Sequence, residues 1–246
     1  MTAGPAAAPE TAATVARLLE HRAQIIQAAQ AIEPLLNRVV FTGRHAAELL
    51  CTHVASGATR ARFASDAVLR VLSSSALDRL AVDLERLGLR RGVRTANSER
   101  WILDERLLLD VTYVSGDESE RDAIWLAYAS LLTMPLIVGD GLTARITGAP
   151  ALLALGWAAL KSSGEDLLDS GDLEDLIALV AGRAEIVREV HAAPPELREF
   201  VATETRRFLS YDGAHHIVQH AVPGAKLLPA LADRVIDRLG QLSTPT

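Results

Sequence analysis

The first part of the chain alternates between two hydrophobic spacings, one typical of helices and one typical of strands. Between Thr14 and Leu36 the apolar residues recur mostly three or four positions apart, which predicts an amphipathic helix. Residues 38–43, RVVFTG, form a β-branched and aromatic run closed by a glycine, which predicts a buried strand. Helical spacing returns over 45–54, a second strand is predicted over 67–72, and a helix runs from the serines at 73–75 to Gly88.

The middle of the chain predicts further strands, and the last part predicts only helices. Residues 100–103 and 107–114 are apolar runs joined by a polar turn, which indicates a β-hairpin. A helix is predicted over 119–132 and a short hairpin around Gly139–Asp140–Gly141. We therefore predict an α/β (α+β) protein. It has a disordered tail over 1–13, a mixed sheet flanked by helices over 14–148, and a helical domain over 149–246.

Composition narrows the functional classes without selecting one. The 246 residues are enough for a sizeable core, and 49% of them are apolar. The net charge of −6 argues against a nonspecific nucleic-acid coat, which would need a basic excess. Cys51 is the single cysteine, so an intrachain disulfide and a cysteine-based zinc site are excluded, and a reducing cytoplasm is the expected location. No apolar run approaches the length of a membrane span, so we expect no membrane partner.

Two acidic residues stand out because each interrupts a predicted strand. Asp66 lies in the stretch RARFASDAVLRVL at 60–72, and Asp110 alone interrupts the run LLLDVTYV at 107–114. A carboxylate in an apolar strand needs a partner or solvent, so Asp110 in particular suggests a site. His216 and His220 have a spacing that can hold a metal on a helix, but no third ligand is near in the sequence, and we predict surface or capping roles for them.

These segments, taken in order, resemble the bacterial AbiEii-type nucleotidyltransferases, a branch of the polymerase-beta-like nucleotidyltransferase superfamily. In VVFTGRHAAEL, Gly43 matches the first glycine of the family's strand, Gly-Gly turn and helix. In RFASDAVL, Arg62 and Asp66 match the pattern Arg-x-Thr-x-Asp-x-Asp-Leu, and Asp110 matches the third carboxylate on a neighbouring strand. The segment DLEDLIALVAGRAE is similar to the helical half of the family.

The resemblance implies a nucleotidyltransferase-like fold and a two-metal site. In that chemistry two magnesium ions about 3.5–4 Å apart activate the attacking oxygen and stabilise the leaving pyrophosphate. Asp66 and Asp110 would then be the catalytic and metal-binding residues, either as relics or as a weak site. Gly43, Arg44, Arg62 and Lys161 would bind the nucleotide. Magnesium and a nucleoside triphosphate are expected as cofactor and substrate only if the chain is active.

Three positions depart from the family pattern, each at a place that the chemistry needs. Val68 stands where the second carboxylate of the Asp-x-Asp pair would be, and Arg44 replaces the second glycine. Gly156 stands where a phosphate-binding lysine is expected, with Lys161 more than a turn later. We therefore expect a catalytically degenerate protein with a binding or regulatory role, in a toxin–antitoxin or phage-defence setting. We further expect Arg44 or Arg62 to occupy the metal position and bridge Asp66 and Asp110 in a fork geometry.

Two other interpretations remain open at this stage. The chain could be an active metal-dependent nucleotidyltransferase that takes its second carboxylate from Asp104 or Asp117. It would then move a nucleoside monophosphate to an RNA, a protein or a small molecule. A weaker third interpretation is a structural oligomerisation module. The expected partners are accordingly a protein or a second copy of the chain, or a nucleotide, with nucleic acid only as an acceptor.

Overall fold

The computed structural model describes residues 9–51, 64–70, 74–95, 98–103, 108–114, 123–139, 141–163, 167, 170–222 and 230–244. Within these ranges the chain forms a mixed sheet followed by a helical half, as predicted. The strands are β1 (Val39–Thr42), β2 (Ala64–Arg70), β3 (Arg90–Arg94), β4 (Ser98–Ile102), β5 (Leu108–Val114), β6 (Thr133–Gly139) and β7 (Leu142–Thr147).

Helices precede the sheet, interrupt it and follow it. The helices among the strands are α1 (Pro9–Ala31), α2 (Gly43–Leu50), α3 (Ser74–Arg86) and α4 (Ala123–Leu131), with a 3₁₀ turn at Glu33–Leu35. Those after the strands are α5 (Ala149–Ser163), α6 (Gly171–Gly182), α7 (Ile186–His191), α8 (Pro195–Leu209), α9 (Ala214–Ala221) and α10 (Ala230–Leu242). Among the described helices, none combines the length and the apolar character needed to cross a membrane.

The strand order is β3-β4-β5-β2-β1-β7-β6, so the strands that carry the predicted motifs lie in the middle of the sheet. β2 pairs with β5 and β1 pairs with β7 in parallel, and the remaining neighbours are antiparallel. The hairpin predicted over 100–114 is confirmed as β4 and β5, and the short hairpin is confirmed as β6 and β7. The turn between β6 and β7 contains Gly139 and Gly141, whose φ values of 121° and 82° suit glycine.

Two elements differ from the predicted ones. The edge strand β3 has the sequence RRGVR, and all five of its residues are exposed. A strand without a buried face has no hydrophobic alternation, so the sequence pattern missed it. Helix α1 begins at Pro9, inside the stretch predicted as a tail, and residues 1–8 lie outside the described part of the chain.

One hydrophobic cluster runs from the sheet into the helices that follow it. Phe41 and Trp101 are fully buried on the strands, and Leu153 and Leu179 are buried on α5 and α6 within the same cluster. Polar contacts join the two parts as well, because Arg183 Nη1, beyond α6, donates to the carbonyl of Leu50 at 3.1 Å. The strands end at Thr147 and α5 begins at Ala149, next to the boundary expected at 148. Whether the two parts fold separately stays a prediction.

Candidate functional site

The backbone register aligns the predicted acidic residues across the centre of the sheet. Thr42 of β1 lies opposite Asp66 of β2, and Asp66 lies beside Asp110 of the parallel strand β5. Asp110 in turn lies opposite Arg100 of β4. Residues so distant in the sequence therefore form one row across four strands. The structure describes the backbone of Asp66 but not its side chain.

Val68 lies two residues after Asp66 on β2. It lies opposite Val40 of β1 and beside Thr112 of β5. Residues two apart on a strand share a face, which is why an Asp-x-Asp pair can supply two carboxylates to one metal site. A valine at this position supplies no oxygen ligand. The register therefore leaves a single carboxylate position on this part of β2.

Gly43 turns the chain from β1 into α2 at the end of this row. Its φ of +69° lies in the left-handed region, which a residue with a side chain adopts at a cost. Thr42 precedes the helix in an extended conformation and makes no capping hydrogen bond. Its buried Oγ1 also has no hydrogen-bond partner within the described residues. The N-terminus of α2 thus sits beside the acidic row, where unsatisfied N–H groups favour a negative charge.

Both oxygens of Asp110 are engaged by the arginine on the neighbouring strand. Arg100 Nε donates to Oδ1 and Arg100 Nη2 donates to Oδ2, each at 2.6 Å. This is the two-pronged geometry in which guanidinium and carboxylate pair most strongly. Gly92 of β3 leaves room for it, because a Cβ there would lie 3.3 Å from Arg100 Cγ and 3.1 Å from the Arg100 carbonyl oxygen. Asp110 is therefore neutralised by a residue that the sequence analysis did not select.

Arg44 pairs with a different set of carboxylates from the predicted one. Its Nε lies 3.1 Å from Asp175 Oδ1 on α6 and 3.5 Å from Glu48 Oε1 one turn along α2. The side chain is only 3% exposed, and its Nη2 has no hydrogen-bond partner among the described residues. The prediction that Arg44 bridges the acidic row is therefore wrong for Asp110. The physical reason is that α2 packs on α6, which directs Arg44 away from the sheet and into the helical half.

A cavity of about 160 Å³ lies between the start of α2 and helices α5 and α6. Its lining includes Gly43 and Arg44 together with Asp172 and Asp175. Among the described lining residues, two carboxylates and one guanidinium give a negative balance, which opposes a polyphosphate. Gly156 also lines it, and a Cβ added there would lie 3.3 Å from the Leu176 side chain. The Cβ of a lysine at position 156 would thus require the Leu176 side chain to shift slightly.

Hydrogen bonds fix both ends of α6, and one of them joins its C-terminal end to α2. Ser170 caps α6 by accepting from the Leu173 N–H at 3.4 Å, and the helix carries Asp175 five residues further along the chain. Past the end of α6, Arg183 donates from Nε to Glu189 at 3.1 Å as well as to Leu50. The hydrogen bond to Glu189 raises the pKa of Arg183 above its ordinary value.

Of the remaining predicted site residues, those that the structure describes do not line this cavity. Lys161 lies on α5, but its Nζ pairs with Glu204 Oε1 of α8 at 3.0 Å and lines a separate cavity. Arg62 lies outside the described residues, as do Asp104 and Asp117. His216 and His220 are exposed. In the described part of the chain, no three histidine, cysteine or acidic residues are grouped so that they could hold a metal ion.

The residues described at this site do not fit a pair of magnesium ions. Magnesium takes oxygen ligands in octahedral geometry, and catalytic pairs of ions share several carboxylates. Val68 contributes no oxygen, and both oxygens of Asp110 already accept from Arg100. We therefore derive no catalytic step through a metal from this arrangement.

One missed residue had a signal in the sequence, and another had none. The predicted hairpin turns at 104–106, and counting outward from that turn places Arg100 opposite Asp110, as the register confirms. Asp175 lies on the acidic face of a predicted helix, and nothing local indicates that it meets Arg44. That pairing depends on how two distant helices pack.

Comparisons with other proteins give a limited result. No protein-family model and no curated protein sequence matches the chain. Among solved structures, it is similar to an antigenic nucleotidyltransferase-like protein from Paracoccidioides brasiliensis, with 14% identity, 88% of this chain and 92% of that chain covered, and a TM-score of 0.49. It is similar to JHP933 from Helicobacter pylori at 13% identity, with 92% of each chain covered and a TM-score of 0.46. The antibiotic-resistance factor ANT(2'')-Ia matches at 13% identity over 78% of this chain and 96% of that chain, with a TM-score of 0.43. At TM-scores below 0.5, the site's own chemistry has to carry any functional conclusion.

Proposed function

We propose that this chain is a nucleotidyltransferase-fold protein that has lost efficient nucleotidyl transfer and acts by binding, as a regulatory or recognition protein. The observation that carries the proposal is the engagement of both Asp110 oxygens by Arg100. A carboxylate that accepts two charge-assisted hydrogen bonds has to release a guanidinium before it can bind a metal ion. With Val68 at the position two residues after Asp66, this part of the sheet offers too few oxygens for two ions.

The surroundings of Gly43 support the same conclusion. In a working transferase this turn would need to accept a triphosphate, which carries several negative charges. Here the adjoining cavity contains Asp172 and Asp175, and its arginine is already paired with Asp175. Among the described residues that line this cavity, the electrostatic balance disfavours the substrate and no lysine offsets it. A toxin–antitoxin or phage-defence setting is the biological context that the family resemblance implies.

The first experiment measures transfer directly. The full chain is incubated with each α-labelled nucleoside triphosphate, Mg²⁺ or Mn²⁺, and RNA or protein acceptors. We expect no labelled product above the level of the Asp110→Ala variant. Transfer by the unmodified chain that disappears in Asp110→Ala would contradict the proposal. It would favour the active alternative, in which Asp104 or Asp117 completes the site.

The second experiment asks whether the missing carboxylate and the arginine are what prevents metal binding. Mn²⁺ binding is measured by electron paramagnetic resonance for the unmodified chain and for Val68→Asp/Arg100→Gln, which adds an acid and frees Asp110. We expect specific Mn²⁺ binding only in the double variant. Arg90→Gln on the exposed edge strand is the matched control, since it also removes one cation. Specific binding to the unmodified chain, lost in Asp110→Ala, would count against the proposal.

A further inference from the structure

A second cavity, separate from the acidic row, lies in the helical half between α5 and α8. It measures about 400 Å³, and none of its described lining residues lines the cavity beside Gly43. Small-molecule sites in proteins usually measure about 300–1,000 Å³ and combine apolar walls with a few convergent polar groups. This cavity has both. Its walls are aromatic and aliphatic, and three charged side chains meet within it.

The charged groups form a triad around one buried acid. Glu204 has a side chain only 10% exposed, and it lies between Lys161 Nζ at 3.0 Å and Arg207 Nη1 at 3.6 Å. Both cations reach solvent, with side-chain exposures of 52% and 70%. Among the described residues that line the cavity, two cations face one carboxylate, so these three groups leave one positive charge at the rim. An anionic group on a ligand would neutralise this positive charge, whereas a protonated amine would add to it.

Aromatic side chains form the rest of the cavity. Trp157 and Phe208 are buried with their ring centroids 5.8 Å apart, and they form its floor. Tyr211 is 54% exposed, so its ring is open to a ligand at the edge of the cavity. Gly213 allows its position, because a Cβ there would lie 2.6 Å from Tyr211 Cε1. The rim therefore presents one flat ring and two cations on the same opening.

We propose that this cavity binds a small aromatic carboxylate. Its ring lies against Tyr211 and the aromatic floor, and its carboxylate is held by Lys161 and Arg207. Exposed cations beside an aromatic ring recognise a planar anion by charge and by stacking together. Glu204 keeps the two cations oriented while the cavity is empty. The site is independent of the acidic row, so it can be tested whether or not the chain transfers nucleotides.

The test uses 2-naphthoate and its neutral analogue 2-naphthamide, which share the ring and differ in charge. Binding to the full chain is measured by isothermal titration calorimetry, and amide chemical shifts locate the contact. We expect 2-naphthoate to bind and to shift the signals of Leu160, Leu167 and Tyr211. The loss of one charge-assisted contact is worth about tenfold in affinity, so we expect that loss with 2-naphthamide and with Arg207→Gln.

Arg206→Gln is the matched control, because Arg206 is the neighbouring arginine on α8 and donates from Nη2 to the Ser243 carbonyl at 2.7 Å. We expect it to leave 2-naphthoate binding unchanged, and we expect Tyr211→Ala to weaken binding through loss of the ring contact. Circular dichroism confirms that each variant is folded. The proposal is overturned if 2-naphthoate does not bind below 1 mM, if the amide binds as tightly, or if Arg206→Gln and Arg207→Gln weaken binding equally.

Discussion

At the scale of single residues, the site is defined by its ion pairs between arginine and aspartate side chains. Asp66 and Asp110 could be selected from the sequence because a charge in an apolar strand is a local signal. Arg100 could have been selected from the hairpin register. Arg44 was predicted for the wrong partner, because its contact with Asp175 is decided by the packing of α2 on α6. Local sequence carries no information about that contact.

The Arg44–Asp175 pair gives a prediction about stability. Replacing one partner leaves the other charge buried without its main counter-ion, which typically costs about 3–5 kcal/mol. Because Glu48 lies 3.5 Å from Arg44 and compensates in part, we expect Asp175→Asn to lower the free energy of unfolding by about 3 kcal/mol. The measurement is urea denaturation followed by circular dichroism.

The control for this pair removes both charges at once. Arg44→Met/Asp175→Leu removes both charges of the pair at similar volumes, while the buried Glu48 loses its contact with Arg44, so we expect it to recover part of the lost stability. A double variant as unstable as Asp175→Asn would mean that packing, and not charge, holds α2 against α6.

At the scale of elements, strands with a buried face were predictable, and the strand without one was not. β1 and β5 were found from their apolar runs, whereas β3 has five exposed residues and three arginines. The sequence also predicted most helices correctly, since their apolar stripes face the shared core. The strand order could not be predicted, because parallel neighbours such as β2 and β5 are joined through other elements and not by a turn.

Helix α6 provides a prediction at this scale, since it carries Asp175 and begins at a buried cap. Ser170 is fully buried and accepts from the Leu173 N–H, so Ser170→Ala removes the partner of an otherwise unsatisfied donor. Such a change typically costs about 1 kcal/mol, and we expect that loss in thermal or urea unfolding.

Ser162→Ala on α5 is the matched control for this cap. The Ser162 hydroxyl is exposed and donates to the Ala159 carbonyl within the helix, so it caps nothing. Alanine has the higher helix propensity, so we expect no loss of stability there. Equal losses in the two variants would show that Ser170 does not act as a cap.

At the scale of the whole molecule, the sheet and the helical half share one hydrophobic cluster. Buried residues of β1, α5 and α6 all belong to this cluster. Arg183, between α6 and α7, also donates a hydrogen bond to Leu50 at the end of α2. The change from mixed elements to helices near residue 149 was visible in the sequence. The extent of the contact between the sheet and the helical half was not visible there, because it depends on which faces of the helices are buried against the other part.

A fragment covering residues 1–148 tests whether the expected domain division is also a folding division. Without α5 and α6, the buried face of α2 and the Arg44 side chain would be exposed to solvent. We therefore expect the fragment to unfold without a cooperative transition. Near-ultraviolet circular dichroism and urea titration measure this, with the full chain as the reference. A fragment with a sharp transition and native-like aromatic signals would establish an independent first domain.

The pairing of β1 with β7 has a consequence for the newly synthesised chain. Phe41 leaves the ribosome about a hundred residues before Ile146, its neighbour in the sheet, and at 5–20 residues per second this interval is about 5–20 s. During that time one edge of β1, an apolar strand, has no native neighbour. During translation the chain therefore exposes an unpaired apolar strand edge for several seconds. A chaperone that recognises short apolar segments would bind it at VVFT, residues 39–42.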